Sequence, residues 1–183
     1  MREQAEIEAA RREPYIKHLF TTEHADTNQT NTIGFLGEFA MCTLMGIDYA
    51  ENVREDYLKP DTGDLMIGDL VVDVKTETIP QSHLGLIISG WGSDDRMYGR
   101  RLIPEDQIKN LHKYDAVVFG VMPRETLEYW SCFGYIYTKD ITKHNPSAVV
   151  DRPDGGKYPY PCLPIKTSKL RSVEELINDE HRR

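Results

Sequence analysis

The sequence predicts an α/β fold, a mixed central sheet flanked by helices, and three stretches carry that prediction. IGFLGEFAMCTLM is apolar on nearly every side of a helix, which marks a buried one. TGDLMIGDLVVDVKTET alternates about a Gly-Asp turn, the pattern of a hairpin. DAVVFGVM is a continuous apolar run headed by a polar residue, as in a strand covered on both faces.

Taken in order, residues 1–20 read as an N-terminal helix interrupted or ended near Pro14, with Arg11 and Arg12 on it. TTEHADTNQTNT reads as a polar loop, and Asn31 or Thr32 as the cap of a core helix over 31–46 that ends at Gly46. Glu38 is the single charge in that helix. A hairpin follows over 62–78, then a strand or loop around LGLIIS and a short helix from Pro104 to His112. Further core strands fall within 115–138, where YWSCFGYIYT partners DAVVFGVM. DRPDGGKYPYPC is a loop, and Ser172 with Glu175 forms a capping box that opens a last helix over 171–180.

At 183 residues and 39% hydrophobic content, the chain supports a single domain over 1–183. No stretch approaches the roughly 18 apolar residues of a membrane span, and MREQAEIEAARRE lacks the apolar core of a signal peptide, so a cytoplasmic protein is expected. Cys42, Cys132 and Cys162 form no CxxC pair, which suggests neither a zinc cluster nor a disulfide framework. A net charge of −8 argues against non-specific coating of nucleic acid, since that binding is driven by Lys and Arg. A metal site concentrates carboxylates, however, and a local basic strip can still hold a phosphate backbone.

The hairpin carries the chemistry. With a two-residue turn at Gly68-Asp69, Ile67 faces Leu70, Met66 faces Val71, Leu65 faces Val72 and Asp64 faces Asp73. Leu65, Ile67, Leu70, Val72 and Val74 then share one face, while Asp64, Met66, Val71, Asp73, Lys75 and Glu77 share the other. Facing carboxylates repel, so the pair needs a cation: Lys75 is one candidate and a divalent metal such as Mg²⁺ the other.

GFLGE on a helix, then GDL, then DVKTE together resemble the PD-(D/E)XK nuclease superfamily, over roughly residues 30 to 80. The resemblance implies a restriction-endonuclease-like fold and a metal-dependent endonuclease or exonuclease that hydrolyses phosphodiester bonds. It assigns Glu38, Asp64 and Asp73 as metal ligands and these three with Lys75 as the catalytic set, with Mg²⁺ as cofactor and Mn²⁺ as a substitute. Lys75 would orient the attacking water, take its proton, or stabilise charge on phosphorus. Pro60-Asp61 spells the literal motif, so Asp61 competes with Asp64; Asp64 is preferred because it alone faces Asp73 in this register. Glu77 is a candidate outer-shell ligand. Three carboxylates gathered against one lysine also predict that Asp73→Asn, without metal, is no less stable than the parent.

The expected partner is nucleic acid, DNA ahead of RNA, although these residues address phosphate and metal rather than the sugar. Arg96, Arg100, Arg101, Lys109 and Lys113, with Trp91 and Tyr98 among them, form the densest basic stretch and are candidate nucleic-acid contacts; a solvated surface explains them equally well. His83 follows the hairpin and reads more readily as structural. A homodimer is left open, as is a non-catalytic nucleic-acid-binding or assembly module of the same fold.

Overall fold

In the computed structural model the residues described are 1–15, 27–53, 57, 65–89, 101–141, 149–151, 155–158 and 160–181. Their elements are helices α1 (Arg2–Arg12), α2 (Thr27–Leu44), α3 (Gln81–Ile88), α4 (Glu105–Ile108), α5 (Thr138–Ile141) and α6 (Val173–His181), and strands β1 (Leu65–Ile67), β2 (Leu70–Ile79), β3 (Arg101–Pro104), β4 (Ala116–Pro123), β5 (Ser131–Tyr137) and β6 (Cys162–Ile165). The architecture is mixed α/β. Four strands form a mixed sheet in the order β1-β2-β4-β5, and β3 pairs with β6 in a separate antiparallel ladder. Among the described residues no helix is long and apolar enough to cross a membrane.

The hairpin has the register its alternation predicts: Leu65 opposite Val72, Met66 opposite Val71, Ile67 opposite Leu70. Gly68 takes φ 56° in the turn, a conformation that costs a glycine little. β2 then runs parallel to β4, from Val72 beside Ala116 to Ile79 beside Pro123. β4 is buried along its whole length, as a strand with both faces covered must be. β5 returns antiparallel to β4, and its register slips between Phe119 and Gly120, leaving Phe133 as the extra residue of a bulge.

The sheet separates two apolar layers. On one face Leu65, Ile67, Val72, Val74, Ala116 and Val118 pack with Met41 and Cys42 of α2 and Leu176 of α6. On the other, Val117, Phe119 and Ile136 meet Ile103, Leu163 and Ile165 of the β3-β6 ladder. Beyond α2, α1 contributes Ala5 and Ala9 to a third cluster around Phe35, Leu36 and Phe39.

Helix α2 ends as expected. Gly46 has φ 71°, its N–H reaches Thr43 O at 3.1 Å, and Ile47 N–H reaches Cys42 O at 2.9 Å, the paired bonds of a Schellman cap. Its start differs from the expected cap at Asn31 or Thr32: both lie inside the helix and are buried. Asn31 Nδ2 donates to Glu13 Oε2 at 2.7 Å, so packing against the end of α1 holds a polar turn helical that would otherwise favour a loop. LGLIIS is likewise not a strand but lies within and just beyond α3, whose first N–H, that of Gln81, is capped by Glu125 Oε2 at 2.8 Å. Ser172 caps α6, its Oγ accepting from Glu174 N at 3.3 Å.

Candidate metal and phosphodiester site

Side chains alternate along β2, so Asp73, Lys75 and Glu77 leave the sheet on the face opposite Val72, Val74 and Thr76. Val72–Val74 are buried and Lys75–Thr78 half-buried, which leaves Asp73 4% exposed while Lys75 keeps a path to solvent. Lys75 Nζ lies 2.9 Å from Asp73 Oδ1 and 2.7 Å from Oδ2. The bond to Oδ1 has hydrogen-bond geometry. Oδ2 is buried and, among the described residues, accepts no hydrogen bond despite the ammonium beside it. Beyond Val72, whose partner is Leu65, no described residue pairs with the outer margin of β2.

Glu38 stands on the helix that covers the other face. It is 3% exposed, and Asn52 Nδ2, from the 3₁₀ turn Tyr49–Asn52, donates to its Oε2 at 3.2 Å. Cys42, one helical turn further on, has its thiol pushed up to about 11, first by burial and then by the negative charge of Glu38. The approach of α2 to the sheet depends on Gly37: a Cβ there would overlap Thr76 Oγ1 and come within 2.9 Å of Thr76 Cβ.

The structure thus brings Asp73 and Lys75 together and holds Glu38 buried on the adjoining helix. Asp64, the preferred second-strand acid, lies outside the described residues, as do its competitor Asp61, the basic candidates Arg96 and Arg100, and the aromatics Trp91 and Tyr98. Among the described residues no three His, Cys, Asp or Glu side chains are gathered in a group that could hold a metal ion. Glu77 is half-buried on the Lys75 face. His83 is half-buried with its Nδ1 3.2 Å from Ser82 Oγ.

Arg101, a candidate nucleic-acid contact, is placed in the interior. It is 4% exposed on β3, stacks over Phe133 with 4.7 Å between guanidinium carbon and ring centre, and its Nη2 donates to Thr167 Oγ1. The bulge in β5 supplies Phe133 as that stacking platform, and a stacked guanidinium tolerates burial better than an ammonium does. Lys109 and Lys113 are exposed, as a surface stretch requires.

Two groups of residues escaped the sequence reading. Asn52, which holds Glu38, is a single amide in a turn and carries no pattern. Glu8 is fully buried on α1 and accepts from Arg11 Nη1 at 2.8 Å, Gln4 Nε2 at 3.0 Å and the Tyr57 hydroxyl. Its i,i+3 and i,i+4 partners were visible as a helical spacing, but Tyr57, which makes burial tolerable, is 49 residues away.

The chain matches no family model, no curated protein and no solved structure.

Proposed function

We propose that this chain is a metal-dependent nuclease with a restriction-endonuclease-like core of the PD-(D/E)XK type, hydrolysing phosphodiester bonds in DNA ahead of RNA. The observation that carries the reading is the buried Asp73 carboxylate held by Lys75, two residues away on one face of β2, with Oδ2 accepting no hydrogen bond among the described residues. A buried anionic oxygen left with accepting capacity fits a hard divalent cation. Asp73 would hold that cation together with Asp64, the residue next to Leu65, and with Glu38 reaching the open margin of β2 from the helix side. When bound, Mg²⁺ or Mn²⁺ supplies Lewis acidity toward phosphate oxygen and lowers the pKa of a coordinated water.

The chain's own residues then do the rest. Asp73 fixes Lys75 Nζ beside the site through the 2.9 Å bond to Oδ1. Lys75, with 27% of its side chain exposed, would donate from that ammonium to the phosphate oxygen on which charge builds. Asn52 holds Glu38 Oε2 and so limits the directions its carboxylate takes. The apolar layer of Val117 and Phe119, beside Asp73 and Lys75 in register, keeps water from that side of the pair.

A second reading, a non-catalytic nucleic-acid-binding or assembly module of the same fold, is favoured by the ion pair itself, since Lys75 neutralises Asp73 without help. Incubation with supercoiled plasmid, linear duplex, single-stranded DNA and RNA, under Mg²⁺, Mn²⁺ or chelator, separates the two. Cleavage of at least one substrate should need metal and fall by at least about a hundredfold in Lys75→Ala. It should fall similarly in Asp64→Ala but not in Asp61→Ala. Equal residual activity in the parent and Lys75→Ala across all substrates would leave the binding module standing.

A further inference from the structure

Trp130 lies where α2, β2 and β4 approach one another. Its Nε1 donates to Thr76 Oγ1 at 3.2 Å. A Cβ on Gly37 would come within 3.4 Å of the same Nε1, and a Cβ on Gly120 would clash with the indole at its Cε2. Two positions without a side chain, one on α2 and one on β4, therefore make the room the ring occupies. Two of the three elements it touches carry a site residue one position away: on α2 Gly37 precedes Glu38, and on β2 Thr76 follows Lys75.

We infer that Trp130 is a positioning residue for the metal site, setting the separation of α2 from β2 and with it the place of Glu38 relative to Asp73 and Lys75. The inference rests on the metal-binding reading given above. A half-buried indole N–H seeks a partner, and a β-branched threonine has few rotamers in which to supply one, so the bond fixes both the ring and the strand. Metal ligands tolerate displacements of only about 0.5 Å, and groups behind the ligands commonly alter metal affinity by about 10–100-fold.

The test is Mg²⁺ and Mn²⁺ titration calorimetry on the full chain, with Asp73→Asn as the control that ties the heat to this site. Trp130→Phe and Thr76→Val should each weaken binding by about tenfold. The double variant should be no weaker than either alone, because both changes remove the same bond. Thr76→Ser, which restores the hydroxyl, should bind within about twofold of the parent, and Thr76→Val covers the case in which Trp130→Phe fails to fold. Affinity unchanged in Thr76→Val and Trp130→Phe, with only the melting temperature lowered, would overturn the inference and leave Trp130 a packing residue. A parent chain that takes up neither metal would overturn the proposed function and this inference together.

Discussion

The pairing of Asp73 with Lys75 sets a stability coupling that a double-mutant cycle reads directly. The perturbation is Lys75→Met, which keeps the aliphatic stem and removes the charge, set against Asp73→Asn and the double variant, all in chelator. At 2.7 Å and an effective dielectric of about 20, the gross attraction is about 6 kcal/mol. Desolvation of Asp73, 5% exposed in its side chain, and partial solvation of Lys75 at 27% offset most of this. A coupling of about 2 kcal/mol remains. Lys75→Met leaves a buried carboxylate without its cation and should lose about 2–3 kcal/mol in urea unfolding, or about 4–12 °C in melting temperature. Asp73→Asn should also destabilise, which reverses the sign expected from repulsion among carboxylates alone, and the double variant should recover about 2 kcal/mol of the summed loss. A coupling below about 0.5 kcal/mol would refute the reasoning, because the pair would then be no more than an exposed one.

Gly37→Ala should lower stability by about 1–3 kcal/mol, since its Cβ would overlap Thr76 Oγ1, and Thr76→Ala in the same chain should return part of the loss; thermal melts decide. Glu8→Ala should cost about 3 kcal/mol, because it leaves the Tyr57 hydroxyl without its acceptor and Arg11 without its carboxylate; a loss under about 1 kcal/mol in urea unfolding would contradict the buried cluster. Burial raises the thiols of Cys42, Cys132 and Cys162 to about 11 from an ordinary 9. Folding therefore favours their protonated forms, so their contribution is full below pH 9 and is lost as pH rises through about 11; urea titrations of the parent should show a steeper loss of stability in that window than the triple Cys→Ala chain. Native thiols should accordingly react far more slowly with a thiol reagent at pH 8 than they do in urea.

What the sequence made legible was local. Period-two alternation and one glycine placed Leu65 through Leu70 in register, and an unbroken apolar run identified β4, because each pattern reports the surroundings of its own residues. The start of α2 lies earlier than its polar residues suggest, and Asn31, which reads as a cap, is held inside the helix by a bond to Glu13, eighteen positions away. LGLIIS was misread because a short apolar run suits either periodicity and the cap that decides it, Glu125, comes from beyond β4. Arg101 defeats any rule that sends charge to the surface, since Phe133 and Thr167 accommodate it from distant segments. At the site, Asp73 with Lys75 was readable from the DVK spacing. The support from Asn52 and Trp130 was not, because a lone amide and an aromatic beside a bulge have no periodic signature.

The parallel pairing of β2 with β4 has a consequence for the order of events as the chain is made. Val72 and Ala116 are neighbours in the sheet but 44 positions apart, whereas the β1-β2 hairpin closes over two residues. Closing a loop of that length costs about 3 kcal/mol of chain entropy before any contact forms, so the hairpin comes first and the sheet waits. At a synthesis rate of about 5–20 residues per second, β2 emerges several seconds before the strand that covers it. Through that interval Val72, Val74 and Ile79 offer an apolar edge open to any extended segment nearby. Helix α2, already complete upstream, is available to shield its Val74 face, and the close packing of Gly37 against Thr76 is thus a contact the nascent chain can form before β4 exists.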